Sequence, residues 1–570
     1  MYKIRIGKDK LIYSEKGENL LRVLRDNNVS VPSICNGAGW CGKCKVRVLK
    51  GNSLTLTEEE KRLLSEEEIK NNIRLVCHLT IEEDLEIEVL EEISTFNFSK
   101  EIEYKTSLNP LVNLERFRNK IDSKDIDISY IEYIEKRKYV VRNLEIVRRL
   151  PSFLKDGYLE GTIVVLDNEV IDLREKDLEK IYGFAIDIGT TTLVVSLLDI
   201  TTGKRVGVKM EINPQVSYGA DVLSRINYVM SDPHGLFVLW DLLISKLEDM
   251  IGSLCKEKDI SVNDVYVGSI VGNSIMTHIF LGVDPSSIGV FPFTPVFKKS
   301  FLISSKDLFK SIKNAKIYTF PLISGYIGGD IVSGILALGM HRKPENSLLI
   351  DIGTNGEIVL KHDNKLFSCA TAAGPAFEGG NISQGMIAVS GAIDHVWIED
   401  GKVKYSVIGG TEEKGITGSG LVDAIAVMLD LEVLDKTGRM RKNEFNVGKV
   451  RITQKDIREF QLAKSAIRAG IEVLLNKADI TYEDLDRIYV AGTFGNYINL
   501  ENAIKVGLLP PIEIKKFVIS GNTALMGAEI LLLNKELIEE AEEIIKKVKY
   551  IDLSLSSEFQ ELFVKFIGWG

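Results

Sequence analysis

Two stretches that begin alike decide the fold of this chain: IDIGTTTLVVSLLD at residues 186–199 and IDIGTNGEIVLKHD at residues 350–363. Each is followed by a second related stretch, VYVGSIVGN from Val265 and IYVAGTFGN from Ile488, which reaches a Gly-Asn pair after the same interval. Self-similarity of this kind predicts two α/β halves of common ancestry, each with its own phosphate-binding loop.

The repeated Asp-x-Gly-Thr carries the groups that phosphate binding needs. It places a carboxylate at a hairpin, lets glycine bring the backbone near phosphate, and adds hydroxyl and N–H donors to anionic oxygens. We predict that Asp187 and Asp351 are the catalytic residues and face each other across a cleft. There they would hold Mg²⁺, largely through water, and orient the attacking water.

The two halves resemble the actin, sugar-kinase and heat-shock ATPase superfamily, in which two ribonuclease-H-like subdomains close over a nucleotide. The stretches SGYIGGDIVSGI, around Asp330, and GNTALMGAEI, around Gly527, resemble its connecting helices. VAGTFGN resembles its adenosine loop, where absent side chains let the purine lie on backbone. The predicted nucleotide-binding residues are Gly189, Thr190, Thr191, Thr192, Gly353, Thr354, Asn355, Gly492 and Gly495.

Four of the six cysteines, Cys35, Cys41, Cys44 and Cys77, lie in the first eighty residues. Three of them share the loop CNGAGWCGKC, whose glycines allow the backbone to wrap a cluster and approach its sulfides. We predict that all four thiolates bind an iron–sulfur cluster. Zinc is the alternative, although its usual pattern is two Cys-x-x-Cys pairs and this segment has one.

Residues 1–91 resemble a β-grasp [2Fe–2S] ferredoxin domain. The distant fourth ligand is like that of plant-type ferredoxins, whereas the five residues between the first two ligands are closer to the adrenodoxin-like and multidomain variants. The resemblance implies a [2Fe–2S] cluster with two thiolates at each iron. Tyr2–Ile6 and Leu11–Tyr13 predict a hairpin. Thr57 and Glu60 form a capping-box pattern that predicts the short helix before the last ligand.

The chain is therefore predicted to be an α/β multidomain protein with four segments. These are a ferredoxin-like domain at 1–91, a polar linker at 92–118, a small middle domain at 119–181 and a two-subdomain actin-like ATPase at 182–570. The middle segment mixes charged residues with short β-type runs, which predicts a small α+β domain or a contact in a homodimer.

Composition excludes several kinds of partner. The formal net charge of -10 argues against binding along a nucleic-acid backbone. The start, MYKIRIGKDK, lacks the apolar core of a signal peptide, and no window approaches eighteen uninterrupted apolar residues. We expect a soluble cytoplasmic protein with no membrane partner.

The whole constellation resembles the reductive activators of corrinoid proteins, ferredoxin-fused ATPases that return an inactivated Co(II) corrinoid to Co(I). The family-like stretches are NPQVSYGADVLSRI from Asn213, VGNSIMTHIFLG from Val271, TAAGPAFEGGNISQGMIAVSGAI from Thr371 and ITGSGLVDAI from Ile416. The resemblance implies that the cluster gives one electron to the cobalamin of a separate corrinoid protein in a methyltransferase system. It also implies that ATP makes this step accessible and that a low-potential donor reloads the cluster.

Two alternatives remain open at this point. One is a chaperone-like ATPase that acts on a metalloprotein client and uses the cluster as a redox sensor. The other is a small-molecule kinase with a redox sensor. Glu378, in GPAFEGG, is expected either at the cleft or in a structural turn.

Overall fold

The fold is seen in a computed structural model, which describes all residues except 8–9, 28, 30, 32–43, 52–55, 65, 91–106, 122–126, 137, 176–177, 443, 493–496 and 570. Within the described part, none of the helices is both long and apolar enough to span a membrane.

The N-terminal domain is a mixed sheet with short helices beside it. Its strands are β1 (Tyr2–Ile6), β2 (Lys10–Ser14), β3 (Lys45–Lys50), β4 (Ile73–Leu75) and β5 (Leu85–Val89). Its helices are α1 (Leu20–Asp26), α2 (Glu58–Leu63) and α3 (Glu66–Lys70). The strands lie in the order β2-β1-β5-β3-β4.

Local patterns in this domain fold as the sequence predicts. β1 and β2 form the expected antiparallel hairpin, with Ile4 opposite Ile12 and both side chains buried. Thr57 and Glu60 form the expected capping box at the start of α2, because each side chain accepts a hydrogen bond from the backbone N–H of the other.

The middle domain is an antiparallel sheet that packs on the ATPase. Its strands are β6 (Val112–Lys120), β7 (Leu154–Lys155), β8 (Tyr158–Leu166) and β9 (Glu169–Arg174). Its helices are α4 (Tyr130–Glu135) and α5 (Leu144–Arg149). β8 lies at the centre of the sheet and pairs with the other three strands.

The predicted linker at 92–118 is longer than the structure allows. Residues 112–118 belong to β6, which pairs with β8 from Val112 to Lys120. Leu111 and Val112 are buried in one apolar cluster with ATPase residues. The segment is therefore part of the folded domain, because apolar burial and strand pairing hold it.

The first ATPase half follows the middle domain. Its strands are β10 (Tyr182–Ile188), β11 (Thr192–Asp199), β12 (Lys204–Ile212), β13 (Val265–Gly272), β14 (Phe301–Ser304) and β15 (Lys316–Thr319). Its helices are α6 (Val222–Ser231), α7 (Gly235–Glu257), α8 (Ser274–Phe280) and α9 (Gly329–Leu338). The strand order is β12-β11-β10-β13-β15-β14.

The second half contains a main sheet and two small accessory sheets. Its strands are β16 (Ser347–Ile352), β17 (Gly356–His362), β18 (Lys365–Thr371), β19 (Ala392–Glu399), β20 (Lys402–Val407), β21 (Gly415–Ile416), β22 (Glu444–Val447), β23 (Val450–Thr453), β24 (Arg487–Ala491), β25 (Phe517–Gly521) and β26 (Val548–Tyr550). Its helices are α10 (Gly418–Asp430), α11 (Gln454–Ala478), α12 (Leu500–Lys505), α13 (Thr523–Leu533), α14 (Glu536–Lys547) and α15 (Ser557–Lys565). The main sheet has the order β25-β24-β16-β17-β18-β26.

The two main sheets confirm the predicted duplication. In each, three consecutive antiparallel strands are extended by two parallel ones: β12-β11-β10 with β13 and β15, and β18-β17-β16 with β24 and β25. The phosphate loops leave the ends of β10 and β16. Sites in such sheets form at the carboxyl ends of the parallel strands, so both loops face one cleft.

Helices α9 and α13 pack against each other between the two halves. α13 follows the last parallel strand of the second half, yet it packs on β10 and β13 of the first half and on α9. A Cβ placed on Gly527 would lie 2.2 Å from the backbone oxygen of Ser333 on α9, and the Ser333 hydroxyl donates to the Ala524 carbonyl at 2.6 Å. The small residues of the predicted connecting helices therefore allow α9 and α13 to pack closely; this contact is called the hinge below.

Candidate active site and candidate metal centre

The cleft between the halves holds a cavity of about 1200 Å³, including its open mouth. Both predicted catalytic aspartates and nearly all the predicted nucleotide-binding residues line it. They are Asp187, Gly189, Thr190, Thr191, Thr192, Asp351, Gly353, Thr354, Asn355 and Gly492. The remaining predicted residue, Gly495, lies outside the described residues.

The carboxylate of Asp187 is held by a residue at the start of α13. Asn522, the N-cap residue of α13, donates from its side-chain amide to Asp187 at 2.7 Å. Burial raises the pKa of Asp187 to about 6, and this hydrogen bond opposes the shift. A change in the tilt of α13 would therefore shift the amide group that holds the Asp187 carboxylate.

Further acidic groups surround the two predicted aspartates. Burial raises the pKa of Asp330, in the first turn of α9, to about 7, with a further contribution from Asp187. Burial raises the pKa of Asp351 to about 8, with added repulsion from Asp330, Asp187 and Glu378. Glu357 has a pKa well above its ordinary value, because it is buried beside Asp330 and Asp351. A cluster of buried carboxyl groups of this kind suits a divalent cation, whose charge would favour their ionised forms.

Glu357 is a cleft residue that the sequence analysis missed. It lies opposite Asp351 in the β16–β17 hairpin, so the two side chains share one side of that hairpin. The signal was present in the second phosphate stretch, where the acidic residue follows its turn. Recognising it required the strand register, which the motif alone does not give.

The first phosphate loop is braced by the stretch that follows β12. The side-chain amide of Asn213 donates to the Gly189 carbonyl at 2.9 Å. The buried guanidinium of Arg225 donates to the Thr190 carbonyl and, at 2.9 Å, to the side-chain oxygen of Gln215. Burial lowers the pKa of Arg225 to about 9. The family-like stretch NPQVSYGADVLSRI thus sets the shape of the loop.

Gly492 lies beside Asp351, where no side chain would fit. Its φ is +92°, and a Cβ there would lie 2.8 Å from a carboxylate oxygen of Asp351 and 2.6 Å from the carbonyl of Ile352. Any side chain at this position would push the Asp351 carboxylate aside.

Glu378 satisfies both of its expected descriptions. It ends a short 3₁₀ helix, Pro375–Glu378, and its carboxylate reaches the cleft. One of its oxygens accepts hydrogen bonds from the hydroxyls of Thr191, at 2.9 Å, and Thr354, at 2.6 Å. The two threonines belong to different phosphate loops.

The candidate metal centre lies in the N-terminal domain. The sulfurs of Cys44 and Cys77 lie 3.2 Å apart, although the residues come from distant parts of the chain. Two thiolates on one tetrahedral metal with bonds of about 2.3 Å would lie about 3.8 Å apart, so a small outward movement lets both bind one ion. Cys35 and Cys41, the other predicted ligands, lie outside the described residues.

The segment that carries Cys77 is fixed by a buried ion pair. The Glu60 carboxylate accepts from the Arg74 guanidinium at 2.7 and 2.8 Å and from the backbone N–H of Leu75 at 3.0 Å. The Asn19 side chain donates to the Cys77 carbonyl at 2.9 Å. Such contacts orient a thiolate before any metal arrives.

The two remaining cysteines have the surroundings of buried apolar residues. Cys255 is buried in α7, where burial raises its thiol pKa to about 11, and Cys369 is buried in β18 with a thiol pKa raised for the same reason. Neither environment favours the thiolate that a metal ligand requires.

The N-terminal domain contacts the first ATPase half through a side-chain hydrogen bond. The hydroxyl of Ser217 donates to the Val31 carbonyl at 3.4 Å, and both residues are buried. Ser217 belongs to the same stretch that braces the first phosphate loop. Val31 comes shortly before the first predicted cluster ligand in the sequence.

Known protein families match the N-terminal domain and both ATPase halves. The 2Fe-2S iron-sulfur cluster binding domain matches residues 4–82. The RACo middle region matches residues 182–343, the first ATPase half described above. The C-terminal domain of RACo, the ASKHA domain, matches residues 345–568.

Individual proteins match over most of the chain. The corrinoid activation enzyme RamQ of Eubacterium limosum is 32% identical over 93% of each sequence. The [Co(II) methylated amine-specific corrinoid protein] reductase of Methanosarcina barkeri is 28% identical over 67% of this chain and 76% of its own length. The solved structure of a reductive activator for corrinoid, iron-sulfur protein superposes with a TM-score of 0.76 at 33% identity, covering 100% of this chain and 98% of the other. The chain therefore belongs to the family of reductive activators of corrinoid proteins.

Proposed function

We propose that this protein is an ATP-dependent reductive activator that passes one electron from a [2Fe–2S] cluster to the Co(II) corrinoid of a partner protein and so restores Co(I). One observation carries the proposal. A single chain holds two cysteine sulfurs 3.2 Å apart in a ferredoxin-like domain and a cavity lined by both Asp-x-Gly-Thr stretches, each with its aspartate.

The direction of electron flow explains why one chain needs both centres. A plant-type cluster has a potential of about −400 mV, and the resemblance to reductive activators implies that the corrinoid couple lies lower. Each 59 mV uphill costs about 1.4 kcal/mol for one electron. ATP hydrolysis in the cleft is the available source of that free energy.

Cys35, Cys41, Cys44 and Cys77 would hold the cluster, whose chemistry is one-electron transfer. Cys44 and Cys77 supply two converging sulfurs. The Glu60–Arg74 pair keeps the Cys77 segment in position.

In the cleft, Mg²⁺ bound with ATP would neutralise charge on the β- and γ-phosphates. Among the described residues, no three histidine, cysteine or acidic side chains are grouped to hold a metal ion directly. Asp187 and Asp351 would act through hydrogen bonds to water ligands, with Asp330 beside them. Asp351 would also orient the attacking water.

Coupling would arise from differential binding. The activator would prefer the state of the corrinoid protein that is readiest for reduction, and hydrolysis would release the complex. Closure about α9 and α13 would transmit the phosphate state to the docking surface. A corrinoid protein of a methyltransferase system and a low-potential electron donor are the proposed partners. A homodimer contact through the middle domain and a cytoplasmic location stay predictions.

Anaerobic mixing tests the proposal. The holoprotein, a reductant and a Co(II) corrinoid protein should give Co(I) absorbance with MgATP and little without it. The Asp351→Asn variant is the matched control, because it changes one cleft carboxylate and leaves the cluster domain untouched. Equal Co(I) yield with and without MgATP would remove the support for coupling. Full activation by Cys77→Ala would favour the chaperone-like alternative.

A further inference from the structure

Glu378 joins the two halves of the cleft through a single carboxylate oxygen. That oxygen accepts the hydroxyl of Thr191 from the first phosphate loop at 2.9 Å and the hydroxyl of Thr354 from the second at 2.6 Å. These hydroxyls are among the donors predicted to bind the phosphates of a nucleotide. A carboxylate therefore takes donors that a phosphate would need.

The other carboxylate oxygen lies over the second phosphate loop. It is 3.7 Å from the point where a Cβ on Gly353 would be. Glycine leaves this space so that an anionic oxygen can approach the backbone. Both oxygens of Glu378 thus occupy positions suited to phosphate oxygens.

We propose that Glu378 is a built-in occupant of the terminal-phosphate position, which clasps the two phosphate loops in the nucleotide-free protein and is displaced by the phosphates of ATP. The inference rests on the proposed function, because it concerns the same nucleotide cleft. Two anions cannot share the same hydroxyl donors at close range without strong repulsion, so carboxylate and phosphate exclude each other. When the terminal phosphate leaves, the hydroxyls return to Glu378, which favours phosphate release.

The backbone beneath Glu378 is anchored, so displacement is a movement of the side chain. The neighbouring Phe377 is buried and packs edge-on against Phe460, with ring centroids 5.6 Å apart. On the other side, Gly379 has a φ of +78°, and a Cβ there would lie 2.6 Å from the backbone nitrogen of Met386. The glutamate can swing away and return without remodelling its loop.

The contact of Glu378 with Thr191 and Thr354, called the clasp, should lower the affinity for ATP analogues but not for adenosine, which has no phosphate. A ligand that binds only the unclasped state has its dissociation constant raised by the inverse of the unclasped fraction. If the clasp is formed about 80–90% of the time, removing it tightens binding of an ATP analogue by about five- to tenfold. Adenosine does not compete for the threonine hydroxyls, so its affinity should not change.

Calorimetric titration of the anaerobic full-length holoprotein tests this. The ligands are adenylyl imidodiphosphate with Mg²⁺, ADP with Mg²⁺, and adenosine. Glu378→Ala should bind the ATP analogue about five- to tenfold more tightly and adenosine equally well. Glu378→Gln keeps the shape and an acceptor oxygen but loses the charge, so it should tighten binding by a smaller factor. Glu399→Ala, an exposed glutamate in the same half, is the matched control.

The outcomes separate the two claims. Unchanged or weaker binding of the ATP analogue by both Glu378 variants would overturn the clasp, even if hydrolysis fell, since that pattern would mean a role in positioning water. A wild-type protein that binds none of the nucleotides would overturn the proposed function itself, and the clasp with it. If Glu378→Ala does not fold, the Gln variant alone decides between these results.

Discussion

At the scale of single residues, the buried aspartates of the cleft lower the stability of the nucleotide-free protein. Asp351 has a pKa of about 8 in the folded protein, against an ordinary value of 3.8. Between these values the folded state holds a proton that the unfolded chain has released. The free energy of unfolding therefore falls as the pH rises through this window and becomes level above it.

Asp351→Asn should consequently be more stable than wild type and less active. The stability difference should grow between about pH 5 and pH 8 by up to about 1.4 kcal/mol per pH unit. Hydrolysis of ATP should fall by orders of magnitude, because the lost charge acts on metal and water positioning. Denaturant unfolding without nucleotide at three pH values and steady-state hydrolysis measure the two effects.

Asp187→Asn should also be more stable and less active than wild type. Its stability difference should grow over a narrower pH range that ends near pH 6. An unchanged cluster spectrum is the control, and normal hydrolysis by both variants would contradict the assignment of the cleft.

The cluster ligands give a second prediction at this scale. The holoprotein should contain about two irons and two acid-labile sulfides, with a rhombic EPR signal after one-electron reduction. Cys77→Ala should lose iron much more completely than Cys255→Ala or Cys369→Ala, because the latter two thiols are buried in the ATPase halves. Iron analysis and visible absorption make the comparison. Stoichiometric zinc in anaerobically prepared protein would contradict it.

The residues of the candidate site could be predicted from the sequence only where they lie in a recognisable motif. Asp187 and Asp351 lie in the repeated phosphate stretches, and the structure brings both to one cavity. Arg225 and Asn522 were not identified. Asn522 lies 335 positions from its partner Asp187, and such a contact exists only after the two halves have packed. The spacing of residues within a short motif therefore cannot predict the contact between Asn522 and Asp187.

At the scale of elements, the hinge depends on close contact between α9 and α13. Gly527→Ala would place a methyl group against Ser333, so the helices must separate. We expect a loss of about 1–3 kcal/mol in the free energy of unfolding, and slower hydrolysis because Asn522 moves with α13. Unfolding and hydrolysis assays check this expectation.

A glycine in another helix supplies the control for the hinge. Gly252 lies inside α7, and a Cβ there would have no neighbour within 4 Å. Gly252→Ala should leave hydrolysis unchanged and stabilise the protein by about 0.5–1 kcal/mol, because alanine loses less backbone entropy in a helix. Equal effects of the two substitutions would argue against a special contact at the hinge.

Element prediction succeeded where the pattern was local and failed where packing decided. The hairpin, the capping box and the duplicated halves follow from periodicity and repetition. β6 did not, because its sequence VNLERFRNK carries charges at several positions and resembles a polar linker. In the fold, Val112 and Phe117 are buried, Glu115 is half-buried, and Arg116, Arg118 and Lys120 are exposed. The segment forms a strand because it pairs with β8 and buries Val112 against the ATPase.

At the scale of the whole molecule, the middle domain is a structural part of the ATPase. Val164 is buried in one apolar cluster with ATPase residues. The Tyr266 hydroxyl donates to the Asp172 carboxylate at 2.7 Å, and Lys535 pairs with Asp167 at 2.6 Å. Removing the domain would expose this surface.

Truncation should therefore show a boundary that differs from the one expected from sequence. A chain of residues 107–570 should fold and hydrolyse ATP, whereas one of residues 182–570 should unfold at a temperature several degrees lower, because it loses apolar burial and both polar links. Thermal unfolding of the two chains with and without MgATP measures the difference. Identical melting would mean that the middle domain is an independent spacer.

The last prediction concerns the link between the two centres. If the ATPase selects a reducible state of the corrinoid protein, the partner should accelerate hydrolysis, and should do so more in the Co(II) form than in the Co(I) or methylated form. Linkage is reciprocal, so an ATP analogue should change the affinity for the Co(II) partner by the same factor.

Two variants separate ATP hydrolysis from electron transfer to the corrinoid. Cys77→Ala should keep partner-stimulated hydrolysis and produce no Co(I), whereas Asp351→Asn should keep a reducible cluster and also produce no Co(I). The contact between Ser217 and Val31 gives a physical route, because it lies beside the brace of the first phosphate loop. Ser217→Trp should push the N-terminal domain away from that brace and reduce the Co(I) formed per ATP hydrolysed, with hydrolysis itself changed much less. Stopped-flow Co(I) absorbance and phosphate release, measured on the same samples, give this ratio. A ratio equal to that of the wild type would show that the contact takes no part in coupling.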